Sequence, residues 1–278
     1  INESERDDDV LQPYVDTIIA KLDALELSAS SQGSIVERVL QLLSQLTKYA
    51  SSSDQADHLL SALLVYLSPA YHFIPLHRRE TIFQIVGSLI RITAAPDSVI
   101  EPLAYQFLSL TSLETRSTLV ELMNSLTERL PDFTIMAKSL TDINAFSKTL
   151  VGQYDFDLRA TGFLRMKQHM QHVMEHSDVE YLPPVYYYPF TYNCLFFLQD
   201  EDHSVRSAAE DSILTLMQFV ASEISRVTEN KEELHMMILQ AKILQYRRIV
   251  THMIFPFIKK AIRKSSRDNK NLSVALRL

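Results

Sequence analysis

The chain has 278 residues, of which 46% are hydrophobic and 22% are charged, with a formal net charge of -7. These proportions exclude a disordered chain and are typical of a folded one. The single cysteine, Cys194, excludes a disulfide framework, and we expect it to fill space in an apolar core. No stretch approaches the roughly 18 apolar residues of a membrane span, so no membrane partner is expected.

Apolar residues recur at helical spacing from the beginning of the chain. Leu11 and Val15 begin one apolar stripe, and Ile35 and Val39 begin a second. A Ser- and Gly-rich breaker at residues 28–34 separates them and is long enough for the second helix to fold back on the first. The pattern predicts an antiparallel helical hairpin.

The same pairing repeats along residues 1–278 with a period of roughly 40–47 residues, which is typical of HEAT-like and armadillo-like arrays. Because each hairpin leaves one apolar face uncovered, only stacking on its neighbours buries a continuous core. We therefore predict an all-α, HEAT-like or armadillo-like α-solenoid, a fragment of a longer chain, with its sixth hairpin broken near Pro256. The predicted hairpins cover residues 9–50, 54–94, 98–130, 132–176, 183–228 and 231–265, and residues 266–278 are predicted to begin a further repeat.

The most specific local pattern runs from Leu198 to Leu214 and is similar to the turn of a HEAT hairpin. Asp202 is predicted to cap the second helix, and Arg206 to pair with an acidic residue of the turn or of the next repeat. Val205 and Ala209 are predicted to face the partner helix. A weaker form of the pattern ends at Arg116. An ordinary helical bundle with a capped helix remains the alternative.

Two groups of polar residues could suggest catalysis or metal binding. His169, His172 and His176 lie on one helical face, at a spacing that permits metal ligation, but no metalloprotease motif accompanies them, and a solvated polar face is the preferred interpretation. Asp155 and Asp157 could resemble an acid and base pair, yet they occupy the start of a predicted helix, where capping explains them.

An aromatic segment, residues 186–190, is joined by Tyr192, Phe196 and Phe197 around Cys194. These aromatic residues could stack nucleic-acid bases or anchor a peptide, but we interpret them as solenoid core.

Basic residues concentrate at the end of the chain. Residues 242–278 hold ten Lys/Arg against one acidic residue, whereas residues 1–241 hold 17 Lys/Arg against 33 Asp/Glu, a net charge of -16. This asymmetry predicts an acidic, protein-facing surface and a basic end suited to RNA or to an acidic protein. The candidate residues for RNA or partner contact are Arg247, Arg248, Lys259, Lys260, Arg263, Lys264, Arg267 and Lys270.

No phosphate-binding glycine loop, serine triad order or nucleophile elbow occurs in the sequence. We therefore expect no catalytic residue, no metal or other cofactor and no small-molecule substrate.

Three segments together resemble a known family. They are Leu140 to Ser147, Tyr154 to Arg159, and Asn193 to Asp202 with the Val-Arg pair that follows. This combination is similar to the family of U three protein twenty, also called down-regulated in metastasis, a large HEAT-repeat component of the small-subunit processome. The resemblance implies a curved solenoid without catalytic activity. It also implies inter-helix or inter-repeat structural roles for Asn144, Phe146, Asp155, Phe156, Asp157 and Arg159.

The leading hypothesis is a scaffold segment of a nucleolar or nuclear ribosome-assembly factor that supports processing of pre-ribosomal RNA. Its expected partners are other processome proteins, with pre-ribosomal or small nucleolar RNA at the basic end. The alternative is a HEAT-repeat transport receptor or regulatory adaptor that binds peptides on its concave face. A metal-dependent enzyme built on the histidine face is a third hypothesis. Salt-sensitive RNA binding would favour the scaffold hypothesis. Peptide binding without RNA binding would favour the transport receptor or adaptor. Stoichiometric metal would favour the enzyme.

Overall fold

The computed structural model describes residue 17 and residues 33–48, 50, 52–68, 75–147, 153–176, 182–229 and 236–265. These residues form helices and turns, and their only β pairing is an isolated bridge between Phe146 and Tyr154. The predicted all-α class is confirmed. None of the described helices is long and apolar enough to cross a membrane. The stripe that begins at Leu11 and the repeat expected after residue 265 lie outside the described residues.

The chain divides into two compact units. One comprises Ile1–Leu103 with Glu128–Leu130, and the other comprises Ala104–Thr127 with Pro131–Leu278. We call them unit 1 and unit 2. The division falls inside a short helix, α4 (Ile100–Gln106).

The described part of unit 1 contains three longer helices, and both α1 and α2 pack against α3. Ser52 begins α2 as its N-cap, because its side-chain oxygen accepts a hydrogen bond from the backbone N–H of Gln55 at 3.3 Å. The helices of this unit are α1 (Gly33–Leu46), α2 (Ser53–Leu64) and α3 (Leu76–Leu89).

Unit 2 contains the candidate functional residues. Among the residues that the structure describes, its longer helices are α5 (Leu113–Ser125), α6 (Thr134–Ile143), α7 (Phe156–Glu175), α8 (Tyr188–Phe197), α9 (His203–Glu229), α10 (Met236–Arg248) and α11 (Phe255–Ser265).

The packing within unit 2 follows the two-layer pattern of a helical-repeat array. Helices next to each other in sequence form hairpins, as α6 does with α7 and α8 with α9. Alternate helices also pack together, α6 with α8 and α7 with α9. One layer therefore contains α6 and α8 and the other α7 and α9, so that stacked hairpins bury the apolar face that each leaves open.

The aromatic segment, which includes the first residues of α8, lies in the core, as predicted. Tyr187 and Tyr188 are each 1% exposed, and Phe190 is fully buried. Cys194 is also fully buried, and burial raises the pKa of its thiol well above the usual value. The prediction that Cys194 fills core space is confirmed.

Pro256 lies at a change of helix geometry. A π-helical segment, Ile249–Ile254, follows α10, and α11 begins at Phe255. The backbone is α-helical on both sides of the π segment, and the N–H of Phe255 donates to the carbonyl oxygen of Val250, so the helix continues through this segment. Proline has no backbone N–H to donate to the preceding turn, and the wider π turn accommodates Pro256 without ending the helix.

Helices α6 and α7 approach each other closely at Gly162 of α7. A Cβ atom built there would lie 2.8 Å from the backbone nitrogen of Ile143 and 2.9 Å from the carbonyl oxygen of Ser139. Both of these atoms belong to the backbone of α6, which cannot yield as a flexible side chain does. The hairpin of α6 and α7 therefore requires glycine at this position.

Candidate functional site

Four of the predicted RNA-contacting side chains are exposed on α10 and α11. Arg247 and Arg248 end α10, and Lys259 and Lys260 lie in the first half of α11. All four are exposed. We call these four residues the basic surface.

The other four predicted contact residues are described only in part or not at all. Arg263 and Lys264 belong to α11, but the structure describes only their backbone. Arg267 and Lys270 lie beyond the described residues. No Asp or Glu occurs between Met236 and Ser265, so the charge of this segment is not neutralised within it. Such a segment favours an anionic partner.

A second group of cations shares one position in the repeat, and two of its three members, Arg116 and Arg159, are buried. Arg116, Arg159 and Arg206 are each the fourth residue of the second helix of a predicted hairpin. They recur at about 45-residue intervals, close to the HEAT period. Each donates to a backbone carbonyl that precedes its own helix.

Arg206 lies in the turn that resembles a HEAT hairpin. Its Nη1 donates to the backbone oxygen of Asp200 at 2.6 Å. Asp202 accepts hydrogen bonds from the backbone N–H of Val205 at 3.0 Å and from the backbone and hydroxyl of Ser204. The hydroxyl of Ser204, together with these backbone donors, lowers the pKa of Asp202. The caps and contacts of this turn therefore stabilise the start of α9, and Val205 and Ala209 are fully buried.

Arg116 joins three hairpins from the interior. Its Nη1 donates to the backbone oxygens of Phe107 at 2.9 Å and Leu110 at 2.8 Å. Its Nε donates to Asn144, and its Nη2 donates to Asn193 at 2.7 Å. Burial of this guanidinium group, followed by the positive charge of Arg159, lowers its pKa to about 9. Arg116 therefore stays charged at neutral pH and is held by uncharged acceptors.

Arg159 is fully buried. We call Arg116, Arg159 and the residues that contact them the arginine cluster. Its guanidinium carbon lies 3.3 Å from the centre of the Tyr154 ring, its Nη1 lies 3.5 Å from the carboxylate of Asp200, and its Nε donates to the backbone oxygen of Ala145. Burial lowers its pKa to about 10, although Tyr154 and Asp200 favour the charged form. Its Nη2 has no hydrogen-bond partner among the described residues. The contact with Asp200 connects α7 to the turn that follows α8.

The two buried arginines have a structural role, since they hold neighbouring hairpins in register through hydrogen bonds and ring contacts. Sequence reasoning noticed Arg116 only as a weak form of the HEAT pattern, and it assigned Arg159 a structural position through the family resemblance. Their common helix position and repeat spacing could have identified both. Nothing local in the sequence indicates that Asn193 accepts from Arg116, because the two residues are 77 positions apart.

A pocket of about 530 Å³ opens beside this cluster, and sequence reasoning missed it. Its lining combines aromatic and aliphatic side chains with two acidic ones and with no lysine or arginine. The lining residues are Leu108, Thr111, Tyr154, Phe156, Leu195, Phe196, Gln199, Asp200, Glu201 and Phe257. Such a volume lies within the roughly 300–1,000 Å³ of ordinary ligand pockets.

A buried carboxylate lies elsewhere in unit 2. Glu223 of α9 is 2% exposed and accepts hydrogen bonds from Arg226 at 2.8 Å and from the hydroxyl of Tyr246 at 3.4 Å. Burial raises the pKa of Glu223 to about 7, against the opposing effects of Tyr246 and of the charge on Lys242. The same burial raises the pKa of Tyr246 above its usual value.

The histidine face does not assemble a metal site in the described residues, where no group of three or more metal-ligating side chains occurs. His172 and His176 lie with their ring centres 4.2 Å apart, whereas His169 stacks on Tyr187. Burial lowers the pKa of His169. His169 is thus part of the packing between α7 and the aromatic segment.

Comparison with protein families assigns the chain. The model of the family described as U3 small nucleolar RNA-associated protein 20, N-terminal, matches residues 2–266. The chain belongs to this family. No solved structure matches the chain. The family is a component of the small-subunit processome, and its role lies in ribosome biogenesis.

The residues that carried the resemblance to the U3 small nucleolar RNA-associated protein 20 family fall into two groups. Asn144 and Arg159 are both buried in the arginine cluster. Asp155 caps α7, because its side chain accepts a hydrogen bond from the backbone N–H of Leu158 at 3.0 Å. Capping, rather than acid and base chemistry, therefore explains Asp155. Phe156 is 41% exposed and lines the pocket, and the inter-helix or inter-repeat role that the resemblance implies for it stays a prediction.

Phe146 and Asp157 complete the set. The ring centres of Phe146 and Tyr154 lie 4.8 Å apart, and their backbones form the isolated bridge before α7. Asp157 is exposed in the first turn of α7, where the helix dipole favours an acidic side chain.

Proposed function

We propose that the chain is a non-catalytic scaffold segment of a nucleolar ribosome-assembly factor. In this role it supports assembly of the small-subunit processome and processing of pre-ribosomal RNA, and its partners are other processome proteins. Membership of a processome family supports the proposal, and the family favours it over a transport receptor or an adaptor. Stacked helical hairpins suit a scaffold because they present long surfaces without needing a catalytic centre.

The basic surface contacts RNA in this proposal. The observation that carries this part is the exposure of Arg247, Arg248, Lys259 and Lys260 on a segment without acidic residues. Lysine and arginine side chains neutralise phosphates and release counterions, which provides affinity without reading sequence. Either pre-ribosomal or small nucleolar RNA meets this requirement.

A binding experiment with a matched control tests the RNA contact. The full chain is titrated into a labelled single-stranded RNA, and fluorescence anisotropy is recorded for the wild type and for a variant with all four residues of the basic surface changed to Gln. The control carries the same loss of charge at four other exposed positions. Its substitutions are Arg38→Gln, Lys48→Gln, Arg91→Gln and Lys138→Gln.

We expect the basic-surface variant to bind at least about 30-fold more weakly, because each lost phosphate contact contributes to affinity. The control is expected to bind within about threefold of the wild type. Equal losses in the two variants would show that only net charge matters, and they would contradict an RNA site on α10 and α11.

A second experiment tests the cellular role. The full-length protein is purified by affinity from cell extract, its partners are identified by mass and its bound RNA is sequenced. Small-subunit processome proteins recovered with pre-ribosomal RNA support the scaffold role. Transport or signalling proteins recovered without that RNA would favour the adaptor hypothesis.

A further inference from the structure

We propose that the pocket lined by Phe156, Phe196 and Glu201 docks a peptide segment of a partner protein, one with an apolar or aromatic anchor residue flanked by lysine or arginine. The site shares no residue with the basic surface, and its function does not depend on RNA binding there. It rests on the proposed scaffold function and gives the site and the chemistry of one protein partner.

The shape and apolar character of the pocket suit an anchoring side chain. Phe156 is 41% exposed, and Phe196, Leu108 and Phe257 contribute further apolar lining. An exposed phenylalanine beside a concave apolar surface is typical of an interaction site. Burial of one partner side chain in such a pocket is the arrangement that usually dominates the affinity of a protein interface.

The aromatic lining is fixed from behind by the buried arginines. The guanidinium carbon of Arg116 lies 4.0 Å from the centre of the Phe196 ring, and that of Arg159 lies 3.3 Å from the centre of the Tyr154 ring. Each ring therefore packs against a cation that is itself held in the core. A pocket whose walls are already ordered loses little conformational entropy on binding.

The charge around the pocket selects a basic partner. Asp200 and Glu201 line the pocket, and the carboxylates of Asp155 and Asp157 flank Phe156 in sequence. Asp200 is paired with Arg159 from behind, whereas Glu201 is exposed.

The nearest basic residues along α11 from Phe257 are Lys259 and Lys260, and neither lines the pocket. Carboxylates at the rim repel the phosphates of RNA and attract lysine or arginine. Proteins that assemble on RNA are rich in such residues, so partners of this kind are available in a ribonucleoprotein particle.

The test uses the full chain and three labelled synthetic peptides. The first has one phenylalanine flanked on each side by two lysines, the second has alanine in place of the phenylalanine, and the third has glutamates in place of the lysines. Binding is measured by fluorescence anisotropy for the wild type and for Phe156→Ala and Glu201→Lys. The matched controls are Leu164→Ala and Glu121→Lys, since both residues are exposed in unit 2 and neither lines the pocket.

We expect the wild type to bind the first peptide at least about tenfold more tightly than either of the others. Phe156→Ala and Glu201→Lys are each expected to weaken that binding about five- to tenfold, and the two controls to change it less than about twofold. Circular dichroism confirms that each variant is folded.

Three results would overturn the proposal. The first is no binding of the lysine-flanked peptide at about 1 mM, and the second is equal binding of the lysine and glutamate peptides. The third is an RNA that occupies the pocket, recognised because its binding is lost in Phe156→Ala and kept in the basic-surface variant. If only the basic-surface variant loses RNA binding, that result concerns the RNA site on α10 and α11. Peptide binding at the pocket is then judged from the peptide titrations alone.

Discussion

Arg116 and Arg159 are among the largest fully buried side chains of the described residues. A buried cation is stable only when hydrogen bonds replace its lost hydration, and Arg116 obtains these from two carbonyl oxygens and two asparagine side chains. Those acceptors come from the turn between the two helices of its own predicted hairpin and from the next two predicted hairpins. A single side chain thus determines how three repeats fit together.

Replacement of Arg116 by Met is expected to lower the free energy of unfolding by about 3 kcal/mol or more, because it leaves buried carbonyl and amide oxygens without donors. Arg165→Met is the matched control. Arg165 pairs with Asp142 at 2.6 Å but is 24% exposed, so its loss is expected to cost less than about 1 kcal/mol. Urea denaturation of both variants measures the difference, and similar losses would contradict the special role of Arg116.

The raised pKa of Glu223 predicts that the free energy of unfolding depends on pH. Its folded pKa of about 7 lies above the ordinary value of 4.5, so the folded state holds the proton more tightly than the unfolded state. The stabilising contribution is therefore present below about pH 4.5 and is lost as pH rises through about 7. Arg226, 2.8 Å away, reduces the loss by favouring the charged carboxylate.

Urea denaturation at pH 5 and pH 8 tests this dependence. Relative to Glu223→Gln, the wild type is expected to lose about 2 kcal/mol of unfolding free energy between these values. A parallel pH dependence of the two proteins would show that Glu223 ionises normally.

At the scale of elements, α7 is the helix on which the packing of unit 2 depends most. It packs against α6 within its hairpin and against α9 in the next, and Gly162 lets the backbone of α6 approach closely. Its first turn also positions Phe156 at the pocket and Arg159 in the core. The pocket and the packing of the repeats therefore depend on the same helix.

Gly162→Ala is expected to destabilise the protein by about 1–3 kcal/mol, even though alanine has a helix propensity about 1 kcal/mol better than that of glycine. The added methyl group would meet backbone atoms of α6 at 2.8 and 2.9 Å. Thr161→Ala, at an exposed neighbouring position, serves as the control and is expected to change stability by less than about 0.5 kcal/mol. Thermal or urea denaturation provides the measurement, and stabilisation by Gly162→Ala would contradict the close approach.

At the scale of the whole molecule, charge is separated along the chain. Residues 1–241 carry a net charge of -16, whereas residues 242–278 carry ten Lys/Arg and one acidic residue. The acidic residues of the pocket, Asp200 and Glu201, belong to residues 1–241, and the basic surface belongs to residues 242–278. Such a chain suits a ribonucleoprotein scaffold because one segment attracts RNA while another attracts basic proteins.

The salt dependence of RNA affinity measures how many cations bind. The slope of the logarithm of the association constant against the logarithm of salt concentration is expected to be about -3 for the four cations of the basic surface, and about -6 if all eight predicted contact residues bind phosphate. Titrations between about 50 and 200 mM salt determine the slope. A flat dependence would exclude phosphate binding as the source of affinity.

The sequence by itself determined the all-α class and the family of the chain. Helical periodicity and capping are local properties, readable from residues three or four positions apart, as at Asp155 and Asp202. The apolar composition of residues 186–190 likewise sufficed to predict their burial, because so dense an aromatic helix has no other way to leave water.

Only the tertiary structure decided which polar residues are interior and where a pocket forms. The local sequence does not distinguish Arg116 from a surface arginine. Its interior position depends on Asn144 and Asn193, which accept its hydrogen bonds from other hairpins. Phe156, at the start of α7, lines the pocket together with residues from the end of α8 and from the turn that follows it. Burial depends on contacts between residues far apart in the chain, and local patterns carry no information about which of those contacts form.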